Sequence, residues 1–374
     1  MDAALTALVT GAKGFIGRNL VVALRRRGVT VAEIDVDSTP ADLDAAMAAS
    51  RVVFHLAGVN RPDDDTEFVS GNVGSIEAVV EATERLRVRP AVVLSSSTQA
   101  AVDNAYGRSK LTAEQVLEAH AKRNGASVTI YRLPGVFGKW CRPNYNSVVA
   151  TFCYNIARAL PIKITDPANA LELVYVDDVV AQFMTHLGEE PAGLRRAEVS
   201  PVFRTSLGEL AKLIQGFRAM RTTLEFPDVG DPFTRRLIAT YNSYIEPANL
   251  AYALEQRSDA RGTFAELAKS PTFGQIFVSR TRPGVTRGDH FHDSKIEKFC
   301  VLEGDAIIRF RSILGTEVTE HRVSGSEFKV VDIPPGMTHS IQNVGATEMI
   351  VLFWASEVFD KSRPDTYFEE VLRV

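Results

Sequence analysis

Two incompatible rhythms of apolar residues share this chain, and one core cannot serve both. From residue 4 to about 180, short apolar runs alternate with longer amphipathic stretches: Ala7-Leu8-Val9, Val29-Thr30-Val31, Val52-Val53-Phe54, Ala91-Val92-Val93-Leu94 and Val128-Thr129-Ile130. Strands buried on both faces read as unbroken apolar runs, so this alternation predicts crossover units and a parallel sheet covered by helices. From about residue 270 the runs become short and turn-bounded, as in Gly274–Val278, Ala306–Phe310, Phe328–Val331 and Met349–Phe353. That half reads as all-β. The stretch between is less regular, with a helix starting near Ser206 and prolines at 227, 232 and 247. The expected division is therefore 1–246 and 247–374. A length of 374 residues agrees, since single cores stop growing at roughly 250–300 residues.

Composition removes several classes of function. The net charge of −4 supplies no basic field, and Arg25-Arg26-Arg27 is the one run of cations. Nucleic acid is not an expected partner. Met1 to Val9 lacks the charged and then apolar regions of a leader, and no apolar run approaches the roughly 20 residues that span a bilayer. No membrane association is expected. Three cysteines, Cys141, Cys153 and Cys300, have no paired spacing, which suits the reducing cytoplasm.

Thr10-Gly11-Ala12-Lys13-Gly14-Phe15-Ile16-Gly17 follows the first strand and opens a helix. Glycines there let the backbone turn tightly and approach a pyrophosphate, whose charge is met by the helix N-terminus. This predicts a nicotinamide dinucleotide site. Asp35 ends the second strand, where an acid bonds the adenosine ribose and repels the extra phosphate of NADP, so it leans toward NADH; both cofactors stay open. Tyr106 and Lys110 are four apart at the start of a helix and share a face. An ammonium beside a phenol with an ordinary pKa near ~10 is expected to lower it toward use as an acid–base group. Ser95-Ser96-Ser97 ends the preceding strand at the sheet's ligand-binding edge, and Ser97 is the choice to hold a substrate oxygen.

Near the carboxyl end, Gly284, His290, His292, Glu297 and Gly304 follow the spacing G-x5-H-x-H-x4-E-x6-G, and Pro334-Pro335-Gly336-Met337-Thr338-His339 adds a third histidine. His290 and His292 alternate by two, so on a strand both imidazoles point to one face. With Glu297 and His339 they make an N3O set suited to Zn2+ and acceptable to other divalent transition metals.

The order glycine loop, serine-bearing strand and Tyr-Lys helix resembles the extended short-chain dehydrogenase/reductase family. His55-Leu56-Ala57-Gly58, Asn72, Arg132-Leu133-Pro134 and Tyr175-Val176-Asp177-Asp178 extend the resemblance over nearly the whole first domain. It implies Ser97, Tyr106 and Lys110 as catalytic, with Gly11, Lys13, Gly14, Phe15, Ile16, Gly17, Asp35, Leu56, Ala57, Gly58, Lys110 and Leu133 against the cofactor. Most such enzymes act on nucleotide sugars, which makes Lys139, Arg142, Asn144 and Tyr145 candidates for the sugar diphosphate. The histidine spacings resemble the two cupin motifs, except that the second motif's leading glycine is displaced. A cupin alone does not select a reaction.

A keto-sugar reductase joined to a cupin implies a sequence of steps. A ketone acidifies neighbouring C–H bonds, so an epimerase must work before the reductase removes the carbonyl. End to end, through Leu56–Pro62, Gly138–Ser147 and Pro364–Phe368, the chain is similar to the bifunctional capsular polysaccharide and O-antigen enzymes of the UDP-N-acetyl-L-fucosamine pathway. That resemblance implies C3 epimerisation of a UDP-4-keto-6-deoxy-N-acetylhexosamine by the cupin. Reduction at C4 would come next, giving UDP-N-acetyl-6-deoxy-L-talosamine. It also implies NADPH, zinc and a homodimer. The alternatives are another nucleotide 4-keto sugar, or a non-catalytic dinucleotide and sugar sensor, which would have no use for Ser97, Tyr106 and Lys110.

Overall fold

The computed structural model describes residues 6–62, 64, 66–188 and 190–373. The opening five residues, on which the reading of no leader partly rests, lie outside it. The chain forms two compact units, one of residues 1–215 and 235–246, the other of 216–234 and 247–374.

The first unit is built on strands β1 (Thr6–Thr10), β2 (Thr30–Ile34), β3 (Val52–His55), β4 (Ala91–Ser97), β5 (Ser127–Leu133), β6 (Gly135–Phe137), β7 (Ala170–Tyr175), β8 (Gly193–Ala197) and β9 (Phe203–Ser206). Six of them form a parallel sheet in the order β2-β1-β3-β4-β5-β8. Side chains alternate across a strand, and β1 shows the consequence. Ala7 and Val9 face the helix α1 (Phe15–Arg26) through Leu20 and Leu24. Leu8 faces the other way, onto Met47 of α2 (Pro40–Ala49) and Ile76. The sheet is therefore buried on both sides, which is why its strands read as continuous apolar runs. After β1 the chain first adds β2 on one side and then reverses to β3 on the other. That reversal opens a crevice at the carboxyl ends of β1 and β3, where folds of this kind bind ligands.

Helices continue with the short α3 (Thr66–Phe68), a π-turn over Val69–Gly74, α4 (Ser75–Leu86) and α5 (Ala105–Asn124). Asn104 caps α5 by accepting the Gly107 amide at 2.7 Å, and Gly125 ends it in the left-handed region at φ 62. Leu117 of α5 is fully buried in the second core cluster. A Leu→Ala change in such a place costs about 2–5 kcal/mol. Helix positions are thus fixed to the sheet edge that carries the site.

The second unit holds β10 (Arg257–Asp259), β11 (Gly262–Ser270), β12 (Gly274–Thr281), β13 (Thr286–Phe291), β14 (Glu297–Glu303), β15 (Asp305–Ser312), β16 (Val318–Ser324), β17 (Val330–Ile333), β18 (Met337–Asn343), β19 (Met349–Ala355) and β20 (Tyr367–Phe368). They form two antiparallel sheets, β10-β11-β12-β19-β14-β17 and β16-β15-β18-β13-β20. Phe299, Val301, Val351 and Phe353 point between the sheets and Lys298 points out, the alternation of a half-buried strand. Phe353 is sandwiched by the rings of Phe277 and Phe299, at 4.7 and 4.6 Å. This is the cupin double-sheet barrel. The expected strand at Phe328–Val331 begins later, at Val330, because a turn bond from Lys329 N to the Glu327 carbonyl leaves Phe328 exposed.

Candidate active sites

The glycine loop is shaped by close approaches that only glycine permits. At Gly11, φ is 67, and a Cβ would stand 2.7 Å from the Ala57 amide nitrogen. At Gly17 it would stand 2.1 Å from the Gly11 carbonyl oxygen. The loop after β1 is thereby pressed against Leu56-Ala57-Gly58 after β3. Thr10 Oγ1 ties the same corner together, 2.9 Å from His55 Nδ1 and accepting the Ala57 N–H at 3.3 Å. Burial, with the Lys110 charge nearby, pushes His55 down to about 3, so it is a neutral strut.

Lys13, Gly14, Phe15, Ile16, Leu56, Gly58, Ser97, Tyr106, Lys110 and Leu133 line one cavity of about 950 Å3. Gly11, Gly17 and Ala57 shape its wall from behind. Asp35 lies at the loop's outer side: Oδ2 accepts the Lys13 N–H at 2.7 Å and Oδ1 accepts the Val36 N–H at 2.9 Å. Lys13 Nζ is 2.5 Å from Asp37. The N-terminal turn of α1, reached through a loop whose glycines leave no room for a Cβ, fits the pyrophosphate of a dinucleotide.

Ser97 and Tyr106 both line this cavity with the phenol close to the serine hydroxyl, and Lys110 Nζ lies 5.8 Å from the centre of the Tyr106 ring. The expected lowering of the phenol is not what this environment produces. Burial pushes Tyr106 up, with the Ser97 bond opposing. The same burial pushes Lys110 down to about 8, with Glu114 opposing. The Tyr106 phenol is thus neutral at pH 7. Glu114 stands behind the cavity wall, and the Tyr106–Lys110 pair alone does not point to it. It sits one further turn along α5, fully buried, accepting from Ser96 Oγ at 2.5 Å and from Arg132 Nε and Nη2 at 2.9 and 2.7 Å. Its interval of four from Lys110 is the available signal.

The candidates for the sugar separate. Arg142 and Tyr145 line the cavity, with the guanidinium 4.9 Å from the Tyr145 ring centre. Lys139 instead pairs with Asp177 at 2.5 Å, and Asn144 bonds Thr151 and Asn155; neither lines the cavity. Trp140, Ser147 and the β7 residues Ala170–Leu173 complete the wall, and no sequence signal points to them.

In the second unit, ligand atoms of His290, His292, Glu297 and His339 all lie within 4.8 Å of one another. Their convergence differs from the simple alternation expected. Strand β13 ends at Phe291, and its register with β18 shifts between Gly288 and His290, a bulge that sets His290 directly opposite His339. Gly288 is required there, since a Cβ would meet the His339 carbonyl oxygen at 2.7 Å. The Nε2 atoms of His292 and His339 are buried without a hydrogen-bond partner, 3.4 and 3.6 Å from Glu297 Oε2. Burial, then the neighbouring His339 and His292, push His290 down to about 4, which keeps it neutral as a ligand must be. Burial pushes the Glu297 carboxyl up, but the facing His292 and His339 outweigh it and hold it well below the usual range. Buried lone pairs facing a carboxylate call for a cation, and the set fits a divalent metal.

A dinucleotide fold with a Ser-Tyr-Lys cluster, joined to a four-ligand cupin, defines an extended short-chain dehydrogenase/reductase with a fused β-barrel. Residues 7–198 match the NAD dependent epimerase/dehydratase family and 257–367 match the polysaccharide biosynthesis C-terminal domain. The chain is 43% identical over 364 residues to the UDP-2-acetamido-2,6-beta-L-arabino-hexul-4-ose reductase of Pseudomonas aeruginosa, covering 97% of this chain and 98% of that one. It superposes on the capsular polysaccharide assembling protein CapF of Staphylococcus aureus with a TM-score of 0.89 and 42% identity, over 98% and 100% of the two chains. It also resembles MoeE5, solved with UDP-glucuronic acid and NAD, at a TM-score of 0.51 and 25% identity over 58% and 82% of the two chains. The chain belongs to the NAD dependent epimerase/dehydratase family and carries that family's nicotinamide site together with a polysaccharide-biosynthesis C-terminal domain. It is an enzyme, and its likeness to the Pseudomonas aeruginosa reductase and to the capsular polysaccharide assembling protein takes in 97% and 98% of its length. No helix among the described residues is long and apolar enough to cross a membrane.

Proposed function

We propose that the chain is a bifunctional nucleotide-sugar enzyme of capsule or O-antigen synthesis. In this reading residues 247–374 epimerise C3 of a UDP-4-keto-6-deoxy-N-acetylhexosamine, and residues 1–246 then reduce the C4 ketone to give UDP-N-acetyl-6-deoxy-L-talosamine. The observation that carries it is that Ser97, the neutral Tyr106 phenol and Lys110 line one cavity that runs from the glycine loop to Arg142. The name of the Pseudomonas aeruginosa relative supports the substrate class.

A bound nicotinamide supplies hydride. Tyr106 donates its proton to the C4 oxygen as hydride reaches C4, and Ser97 holds that oxygen in place. Lys110 keeps a positive charge beside the phenolate left behind. Arg142 and Tyr145 bind the diphosphate side of the sugar. His290, His292, Glu297 and His339 would hold a zinc ion, which supplies Lewis acidity or braces the barrel. Epimerisation precedes reduction because only the 4-ketone makes the C3 proton removable. The reading includes a homodimer in the cytoplasm, which the family resemblance and three free cysteines support.

The test monitors oxidation of the reduced nicotinamide with the UDP-4-keto sugar made in situ, in H2O and D2O, with NMR of the product. Oxidation with deuterium at C3 supports both activities. Oxidation without deuterium leaves only the reductase, and no oxidation with any UDP-4-keto sugar defeats the proposal.

A further inference from the structure

The segment from Pro364 onward carries no recognised catalytic residue, yet it closes around the four-ligand cluster. Strand β20 pairs with β13, placing Phe368 opposite His290 and Tyr367 opposite Phe291. Asp365 lies just before it with left-handed backbone, φ 35, and uses both ends of the residue. Its main-chain oxygen is 2.6 Å from His292 Nδ1. Its carboxylate accepts the amides of Asp293, Ser294 and Lys295 at 2.8, 3.0 and 2.8 Å, and the Ser294 hydroxyl at 3.0 Å. Those three amides form the turn that separates His292 from Glu297.

The carbonyl contact has a definite chemical meaning. A carbonyl oxygen can only accept, so Nδ1 of His292 must carry the hydrogen. In the neutral imidazole the lone pair is then on Nε2, the buried atom without a partner. The carboxylate meanwhile fixes the four-residue spacing to Glu297 by holding the intervening backbone. The far end of the segment is fastened separately: fully buried Arg311 donates to the carbonyls of Glu370 and Val371 at 2.6 and 3.1 Å and to Glu369 Oε1 at 2.7 Å. The segment is therefore anchored beyond Asp365 whether or not Asp365 bonds the turn.

We propose that Asp365 is a positioning residue of the metal centre, its carbonyl selecting the His292 tautomer that ligates through Nε2 and its carboxylate setting the turn between His292 and Glu297. This rests on reading the cluster as a metal site. Outer partners of metal-bound histidines typically change metal affinity by about 10–100-fold when removed.

The test uses the full-length protein and Zn2+ alone. Asp365→Gly keeps the left-handed backbone and the carbonyl but removes the carboxylate; Asp365→Asn leaves one acceptor oxygen and serves if the glycine variant does not fold. Zinc affinity is measured by competition with a chromophoric chelator, and the metal-free proteins are melted in parallel. The expected result is one zinc per wild-type chain, an affinity about 10–100-fold weaker in Asp365→Gly, and a smaller loss in Asp365→Asn. Unchanged affinity in the variant overturns the role proposed for the carboxylate, even if its melting temperature falls, because the turn then holds His292 and Glu297 without it. A wild-type chain that takes up no zinc overturns the metal reading itself.

Discussion

Lys110 Nζ and the centre of the Tyr106 ring lie 5.8 Å apart, one turn along the same helix, and burial acts on the two groups in opposite directions. The phenol is held protonated while the ammonium is brought down to about 8 from an ordinary 10.5. Each charge state therefore has its own pH dependence. Capture of the cofactor, read as kcat/KM for the nicotinamide, should be level below pH 8 and fall as pH rises through about 8, where Lys110 loses its charge. Stability should move the other way. Between about 8 and 10.5 the unfolded lysine still binds a proton that the folded one has released, so the folded state gains as pH rises. Denaturant unfolding of wild type against Lys110→Met should show that gain in wild type alone.

Tyr106→Phe keeps the ring packed against Phe68, 5.6 Å away, and removes only the hydroxyl proposed to give the proton. The reductase kcat should fall by about 10²–10⁴, the usual worth of a positioned acid. Deuterium exchange at C3 should persist. If both activities vanish together, the two sites are not independent.

Asp35 already spends one hydrogen bond of each oxygen on backbone amides of Lys13 and Val36. Each oxygen retains a second lone pair at the outer side of the glycine loop, where folds of this class place an adenosine ribose. Asp35→Asn should raise the ratio of kcat/KM for NADPH over that for NADH. An unchanged ratio, measured with both cofactors on one preparation, would show that Asp35 serves only the loop.

At Gly17 a methyl group would collide with the Gly11 carbonyl oxygen at 2.1 Å, backbone that cannot swing aside. Gly17→Ala should cost about 1–3 kcal/mol as overpacking does, and abolish dinucleotide binding. Calorimetric titration and thermal unfolding separate the two effects.

Much of the first unit is legible in the sequence because a parallel strand buried on both faces leaves no polar alternation, as Val52-Val53-Phe54 shows. The glycine loop, Ser97, Tyr106 and Lys110 are legible because local backbone needs and helical spacing put them in one place. Asp365 is not, since a contact between residues 365 and 293 leaves no trace in periodicity. Alternation by two accounts for the histidines only in part: a bulge at Gly288 aligns His290 with His339. Lys139 reads toward the sugar, but Asp177 competes for its charge. Surface cations are hard to assign for that reason.

The π-turn Val69–Gly74 holds Asn72 so that its amide spans the loop after β3 and helix α5, accepting from Val59 N at 3.0 Å and donating to Val59 O and Ser109 Oγ at 3.1 and 3.0 Å. Such a turn is one residue longer than an α-helical one, and each helical residue rotates the chain beyond it by about 100°. Losing a single residue there would swing Asn72 off both partners, whereas exchanging Ser70, which is exposed, would not. Over generations the exposed Val69 and Ser70 should therefore drift in spelling while the stretch keeps its length and Asn72, so an insertion or deletion here costs the site more than an exchange at either exposed position.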